Sequence, residues 1–100
     1  MLHIVRHPEV SGELEAAALW YEDRERGLGT EFLDEYQNTL DRILEEPDRW
    51  RKIKGDNRKL NFRRFPYAII YNVNATTLYI VAVMHLYRRP FYWSQRLRSK

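Results

Sequence analysis

Residues 51–100 carry 12 basic side chains against one acid, Asp56, and the chemistry open to them depends on what stands among the cations. Arg51, Lys52 and Lys54 are followed by Arg58, Lys59, Arg63 and Arg64, and the closing stretch MHLYRRPFYWSQRLRSK adds His85, Tyr87, Arg88, Arg89, Phe91, Tyr92 and Trp93. Cleaving RNA without a metal requires a base for the 2′-hydroxyl, cations for the crowded phosphate and an acid for the leaving oxygen. His85, Tyr87 or Tyr92, and the arginines are of the right types. Holding a phosphate requires only the cations. Spacing does not separate these two chemistries, and the plainer alternative for His85 is a half-buried residue at the end of a strand.

Other site chemistries find less support. His3 and His7 are four residues apart, roughly 13 Å along a strand, whereas zinc ligands converge within about 2 Å of the ion; no metal or other cofactor is expected. There is no phosphate-cradling glycine loop and no serine nucleophile elbow. Asn74-Ala75-Thr76 reads as turn chemistry, and Glu45, Glu46 and Asp48 as a solvated helix end. The chain has no cysteine, which fits a reducing compartment. MLHIVRHPEV lacks the apolar run of a signal peptide, and no stretch has the length of a membrane span. A cytoplasmic protein with no membrane partner is expected.

The net charge of +3 hides a division. Residues 1–50 hold 5 basic and 13 acidic side chains, net −8, and residues 51–100 are net +11. Such asymmetry points to a surface for nucleic acid or for an acidic protein, with mutual neutralisation of the two halves as the blander account.

These residues need elements to hold them. LHIVRH reads as a short strand ended by Pro8. Leu14, Ala17, Ala18 and Tyr21 fall at helical spacing behind Ser11 as an N-cap, and Gly27 and Gly29 break that helix. Thr30 caps a second, with a stripe of Phe32 or Leu33, Tyr36, Leu40, Ile43 and Leu44, ended by Pro47. An αα-hairpin of this kind needs a flat apolar surface to cover. KLNFRRF alternates apolar and polar residues, YAIIYNV places Ile69, Tyr71 and Val73 on one face, and LYIVAVMH is apolar on both faces, as a central strand is. After Pro90, a short helix carries Phe91, Tyr92 and Trp93, too apolar to trail in water. The expected architecture is α+β, in the order β-α-α-β-β-β: an antiparallel sheet of about four strands under an N-terminal helical hairpin, in one domain spanning residues 1–100.

ALWYEDRERGLGTEFLDEYQNTLDRILEEPDRW, RRFPYAIIYNV and YIVAVMHLYRRPFYW together resemble the RelE/ParE superfamily, toxins of type II toxin–antitoxin systems often labelled plasmid stabilization proteins. The resemblance covers nearly the whole chain and implies a small bacterial toxin held inactive by a cognate antitoxin protein. RelE-type members are ribosome-dependent mRNA endonucleases that use a Lys, Arg and Tyr cluster on the sheet. ParE-type members generally lack that cluster and bind DNA gyrase. The RelE lysine pair falls on Lys59 and Asn61. One arginine falls on Ala68, a second near Tyr87 with Arg88 and Arg89 just beyond, and the terminal tyrosine on Tyr92. Losses in a set that works as a unit argue against RelE-type cleavage and favour gyrase inhibition by binding. In some RelE relatives a histidine works near this position, and His85 with Arg63 and Tyr92 would be the catalytic set if the chain cuts mRNA on the ribosome. A module that binds antitoxin but has lost toxicity is the third possibility. Lys59, Arg63, Arg64, Arg88, Arg89 and Trp93 are the expected contacts to nucleic acid or a protein partner.

Overall fold

The computed structural model describes residues 2–97. A short strand β1 (His3–Arg6) leads into α1 (Glu9–Arg24) and α2 (Leu28–Glu45). Strands β2 (Lys52–Lys54), β3 (Asn57–Asn61), β4 (Tyr67–Val73) and β5 (Thr77–His85) follow, and a 3-10 helix, Tyr92–Leu97, ends the described chain. The α+β class and the order of elements agree with the expectation. The sheet, in order β1-β5-β4-β3-β2, differs from it in two respects. It has a fifth strand, the three-residue β2 hairpinned onto β3. It is also mixed, because β1 lies parallel to β5. The chain leaves the sheet at β1, crosses one face as the helical hairpin, re-enters at the far edge and meanders back until β5 meets β1.

Both helix starts lie upstream of the expected caps, and for the same reason: other groups take the free N–H donors. Pro8, already in helical conformation, is the N-cap of α1, a position its locked φ suits. His7 supplies the acceptors, its Nδ1 to the Glu9 N–H at 3.1 Å and its carbonyl to the Val10 N–H at 2.9 Å. Ser11 is therefore inside the helix. At α2 the cap is Gly27 with φ +89°, a left-handed conformation that glycine adopts readily. The Glu22 carboxylate on α1 accepts the N–H of Gly27 at 2.9 Å and of Gly29 at 3.0 Å. A Cβ on Gly29 would stand 2.5 Å from the Ala18 carbonyl oxygen, so the two helices cross at backbone contact there.

The hairpin covers one sheet face. Val10, Ala17, Phe32, Tyr36, Leu40 and Ile43 are buried against Leu60, Phe62, Ile69, Tyr71, Leu78, Ile80 and Val83, with Leu14, Ala18 and Tyr21 partly buried beside them. Phe32, not Leu33 (43% exposed), is the inward residue at the start of α2. The second face carries a smaller cluster of Ile70, Val81, Ala82, Met84 and Trp93. Simple alternation along β5 would put Ala82 on the helix side and Val83 opposite. A register shift between Ile70 and Tyr71, where Ile70 pairs with Ala82 and Tyr71 with Ile80, inserts one residue and exchanges the two, as a β-bulge does. This bulge brings Val83 and His85 to the helix side.

Tyr71 ties the loop after α2 to the sheet by donating its hydroxyl to the Pro47 carbonyl at 2.6 Å. Burial pushes that hydroxyl from 10.0 up to about 12, partly offset by Arg58. Because the folded value lies above the unfolded one, this contribution to stability is complete below about pH 10 and is lost as pH rises towards about 12. Denaturant melts in that window should show stability falling with pH, less steeply in Tyr71→Phe. Leu40, 1% exposed, tests the hairpin's packing: Leu40→Ala should cost about 2–5 kcal/mol, and a change below about 0.5 kcal/mol, typical of surface sites, would contradict its place in the core.

Candidate functional site

His85, Arg88, Tyr92 and Trp93 fall at the end of β5 or beyond it, and the way that strand's edge is finished sorts them into separate places. Pairing with β1 stops at Arg6 opposite Ile80, and the His7 N–H takes the Ile80 carbonyl at 2.9 Å. Beyond that point side chains replace the missing strand. Glu13 of α1 accepts the Val83 N–H at 3.0 Å, and Arg96 of the 3-10 helix donates to the Val81 carbonyl at 2.9 Å. Arg96 and Glu13 also bind each other through two hydrogen bonds, of 3.2 and 2.8 Å, with both side chains largely buried. The Tyr92 hydroxyl donates to the same carboxylate at 2.6 Å. A lone buried carboxylate would be costly; one that meets a guanidinium, a phenol and a backbone N–H is fully used. Burial, then the hydrogen bond to Glu13 and its charge, push the Tyr92 hydroxyl far above its ordinary range, so it stays a neutral donor at physiological pH. Burial lowers the Arg96 guanidinium, but Glu13 more than offsets it and the net shift is upward.

Glu13 and Arg96 were not among the expected site residues. One signal was available: Glu13 lies three residues after Val10 and four before Ala17, both buried, so it occupies the inward stripe of α1. A carboxylate there requires a partner. Nothing local names Arg96, which is 83 residues away.

Two clefts lie on opposite sides of this lock. On the helix side, about 820 Å³ is bounded by Glu9, Glu13, Ala16, Trp20, Tyr67, His85, Arg88 and Arg96, among others. His85 is half-buried at its end, its ring edge-on to Tyr67 at 5.0 Å and tilted on Tyr87 at 5.4 Å, and its Nδ1 accepts the Tyr87 N–H at 3.1 Å. On the second face, about 380 Å³ is lined by Arg51, Lys52, Ile53, Lys59, Met84, Leu86, Arg88, Pro90, Phe91 and Trp93. Lys59 points there because it pairs with Ile70, a residue of the second-face cluster. Buried Trp93 forms part of its wall, and Phe91 stands at its rim, 44% exposed.

Of the expected residues, the second-face cleft thus gathers Lys59, Arg88 and Trp93. Arg63 and Arg64 go elsewhere, to the turn beside α2. The Arg63 N–H binds Glu35 at 2.8 Å, and the Arg64 guanidinium pairs with Glu31 at 2.8 Å. Arg89 is exposed, and its carbonyl receives the Tyr92 N–H at 3.4 Å. His85 is in the helix-side cleft, Tyr92 is tied to Glu13, and Arg63 lies beside the middle of α2, at Glu35. Among the described residues no cluster of three or more His, Cys, Asp or Glu could hold a metal, and no helix is long and apolar enough to cross a membrane.

The sequence profile of a family described as the ParE toxin of the type II toxin–antitoxin system, parDE, matches residues 4–89. The chain belongs to the ParE toxin family. A solved structure described as the chromosomal ParDE toxin–antitoxin system from P. aeruginosa contains a chain of the same fold. It is 13% identical with a TM-score of 0.73, and the match covers 86% of this chain and 97% of that one. A search of curated proteins found no match. The ParE profile stops at Arg89, so the Tyr92–Arg96 half of the lock lies outside it, while Glu13 and the β5 edge lie within.

The lock predicts an asymmetry among ion pairs. Glu13→Ala removes the carboxylate that binds the Arg96 guanidinium, the Tyr92 hydroxyl and the Val83 N–H and should cost about 3–5 kcal/mol in a denaturant melt. Glu46→Ala, which breaks the exposed Arg49–Glu46 pair at 2.8 Å, should change stability by less than about 1 kcal/mol. Equal effects would mean that the lock carries no special weight.

Proposed function

We propose that this ParE-family chain is the toxin of a type II pair, that it arrests growth by binding DNA gyrase without cleaving nucleic acid, and that a cognate antitoxin neutralises it. The observation that carries this reading is the state of the Tyr92 hydroxyl. Under a cleavage mechanism that tyrosine would transfer a proton, yet it is committed to Glu13 and its acidity is suppressed. A catalytic acid or base works best with a pKa near the operating pH, and Tyr92 is displaced in the wrong direction. Ala68 agrees: it stands where the mRNA-cleaving branch of the superfamily has an arginine, and it is 0% exposed on the second face opposite Met84. Neither point bears on binding, which asks only for a surface. The exposed cations Arg63, Arg64 and Arg89 add charge that an acidic antitoxin segment would meet, and such a contact weakens as salt rises.

Ribosome-dependent mRNA cleavage is the second reading, and His85 at the end of the 820 Å³ cleft is what favours it. The readings part on substitution. Expressed without antitoxin, the wild type, His85→Gln and Tyr92→Phe should all arrest growth and inhibit gyrase supercoiling, whereas Lys59→Glu should lose inhibition while remaining folded by circular dichroism. Cleavage of ribosome-bound mRNA by the wild type, falling about 10²–10⁴-fold in either conservative variant, would overturn the gyrase reading. A folded wild type that binds antitoxin but arrests nothing would identify a module without toxicity.

A further inference from the structure

The second-face cleft does not end at its 380 Å³. A neighbouring depression of about the same volume, lined by Trp50, Arg51, Lys59, Leu60 and Asn61, shares Arg51 and Lys59 with it. Together they make one groove that runs from Phe91 and Arg88 past Lys59 and Arg51 to Trp50. No carboxylate lines either part. Among the described residues Arg51, Lys59 and Arg88 enter no ion pair, and Lys52 meets only the exposed Asp56 at 3.3 Å. Arg49, Arg58, Arg64 and Arg96 each face an acid, while Arg6, Arg24, Arg26, Arg42, Arg63 and Arg89 also enter no ion pair among the described residues. What sets Arg51, Lys59 and Arg88 apart is that one groove without a carboxylate gathers them.

An aromatic ring is held at the open end at some cost. Phe91 has φ +59°, a conformation unfavourable for a side chain of this size. Its ring packs on Trp93 at 5.7 Å, with the Lys54 ammonium 5.4 Å from its centre, and part of it stays open to solvent. A groove of unpaired cations with an exposed ring at its end matches the requirements of an unpaired nucleic-acid strand: charges that follow the backbone, and a flat apolar face on which a base stacks. An acidic peptide would use the cations but gain little from a strained, solvent-facing phenylalanine.

We propose that this groove binds single-stranded nucleic acid, with backbone phosphates on Arg51, Lys59 and Arg88 and a base stacked on Phe91. The inference rests on reading this face as the toxin's target surface and specifies part of what it grips. It requires no bond to break.

The test measures fluorescence anisotropy of labelled oligothymidylate and oligouridylate with the full chain alone, over a series of salt concentrations. Because gyrase is absent, failure of this proposal and failure of the gyrase reading are separable. Three phosphate contacts should give a slope of log affinity on log salt of about −2, and Lys59→Gln or Arg51→Gln should each reduce it by about 0.7. Phe91→Ala should weaken binding roughly tenfold or more. Arg26→Gln, which removes the same charge from the loop between the helices, should leave binding unchanged. Equal affinity for the two oligonucleotides supports readout of backbone and base face; preference for one assigns the strand as DNA or RNA within the same proposal. Absent binding at low salt, equal loss in Arg26→Gln and Lys59→Gln, or displacement by polyglutamate with no dependence on Phe91 would overturn it, the last in favour of an acidic protein.

Discussion

The edge of β5 sets the problem that the rest of the molecule solves. β5 is buried on both faces, yet its neighbour β1 is only four residues long and ends halfway along it. Leaving the freed backbone groups buried and unpaired would cost about 1–3 kcal/mol each, and leaving them exposed would offer a ready template for another chain. Glu13 and Arg96 remove both hazards together. One takes an N–H, the other gives to a carbonyl, and their mutual pairing neutralises the charges brought in. The same contacts join the first helix, the edge strand and the end of the chain, so the C-terminal segment is structural before it is anything else. Trp93 can fill the second face because Tyr92 and Arg96 hold its helix in place from around the edge.

That arrangement decides what the surface offers. Acids are concentrated on the hairpin, where they cap helix ends and pair with nearby arginines, as Glu22 does at the start of α2 and Glu31 does with Arg64. Of the bases lining the groove on the other sheet face, only Lys52 meets an acid, the exposed Asp56. The opposed charges of the two halves of the chain therefore cancel only in part, and a share of the surplus gathers in one groove. Long-range attraction of a polyanion follows from such a patch, because clefts lined by one sign of charge focus the field. Of the groups suited by type to proton transfer, Tyr92 is bound to Glu13 and His85 faces the other cleft.

Much of this was legible in the residues. Burial is non-directional and each element carries its own periodicity, so the stripe Phe32, Tyr36, Leu40 and Ile43 and the doubly apolar β5 announced a two-layer α+β domain without knowledge of any partner. Clustering of bases in the second half announced a cationic surface for the same reason: charge is a property of composition. The positions of the helix starts were less legible, because Ser11 and Thr30 are good caps by type but His7 and Glu22 were nearer to the free donors.

What the sequence determined by itself was thus the set of elements, their inward faces and the sign of the surface, all of which arise from interactions a few residues apart. Tertiary structure decided the remainder, and in each case through a contact with no local signature. The parallel pairing of β1 with β5 joins segments about seventy residues apart in sequence, and its direction follows from how many strands the chain passes on its return. One inserted residue near Val81 exchanged the faces of Ala82 and Val83 and carried His85 to the helix side. Tyr92, by type a candidate for proton transfer, became a neutral strut because folding put Glu13 within 2.6 Å of it. A side chain's type limits the chemistry it can do; the partners that the fold brings within hydrogen-bonding distance select which of those chemistries remains.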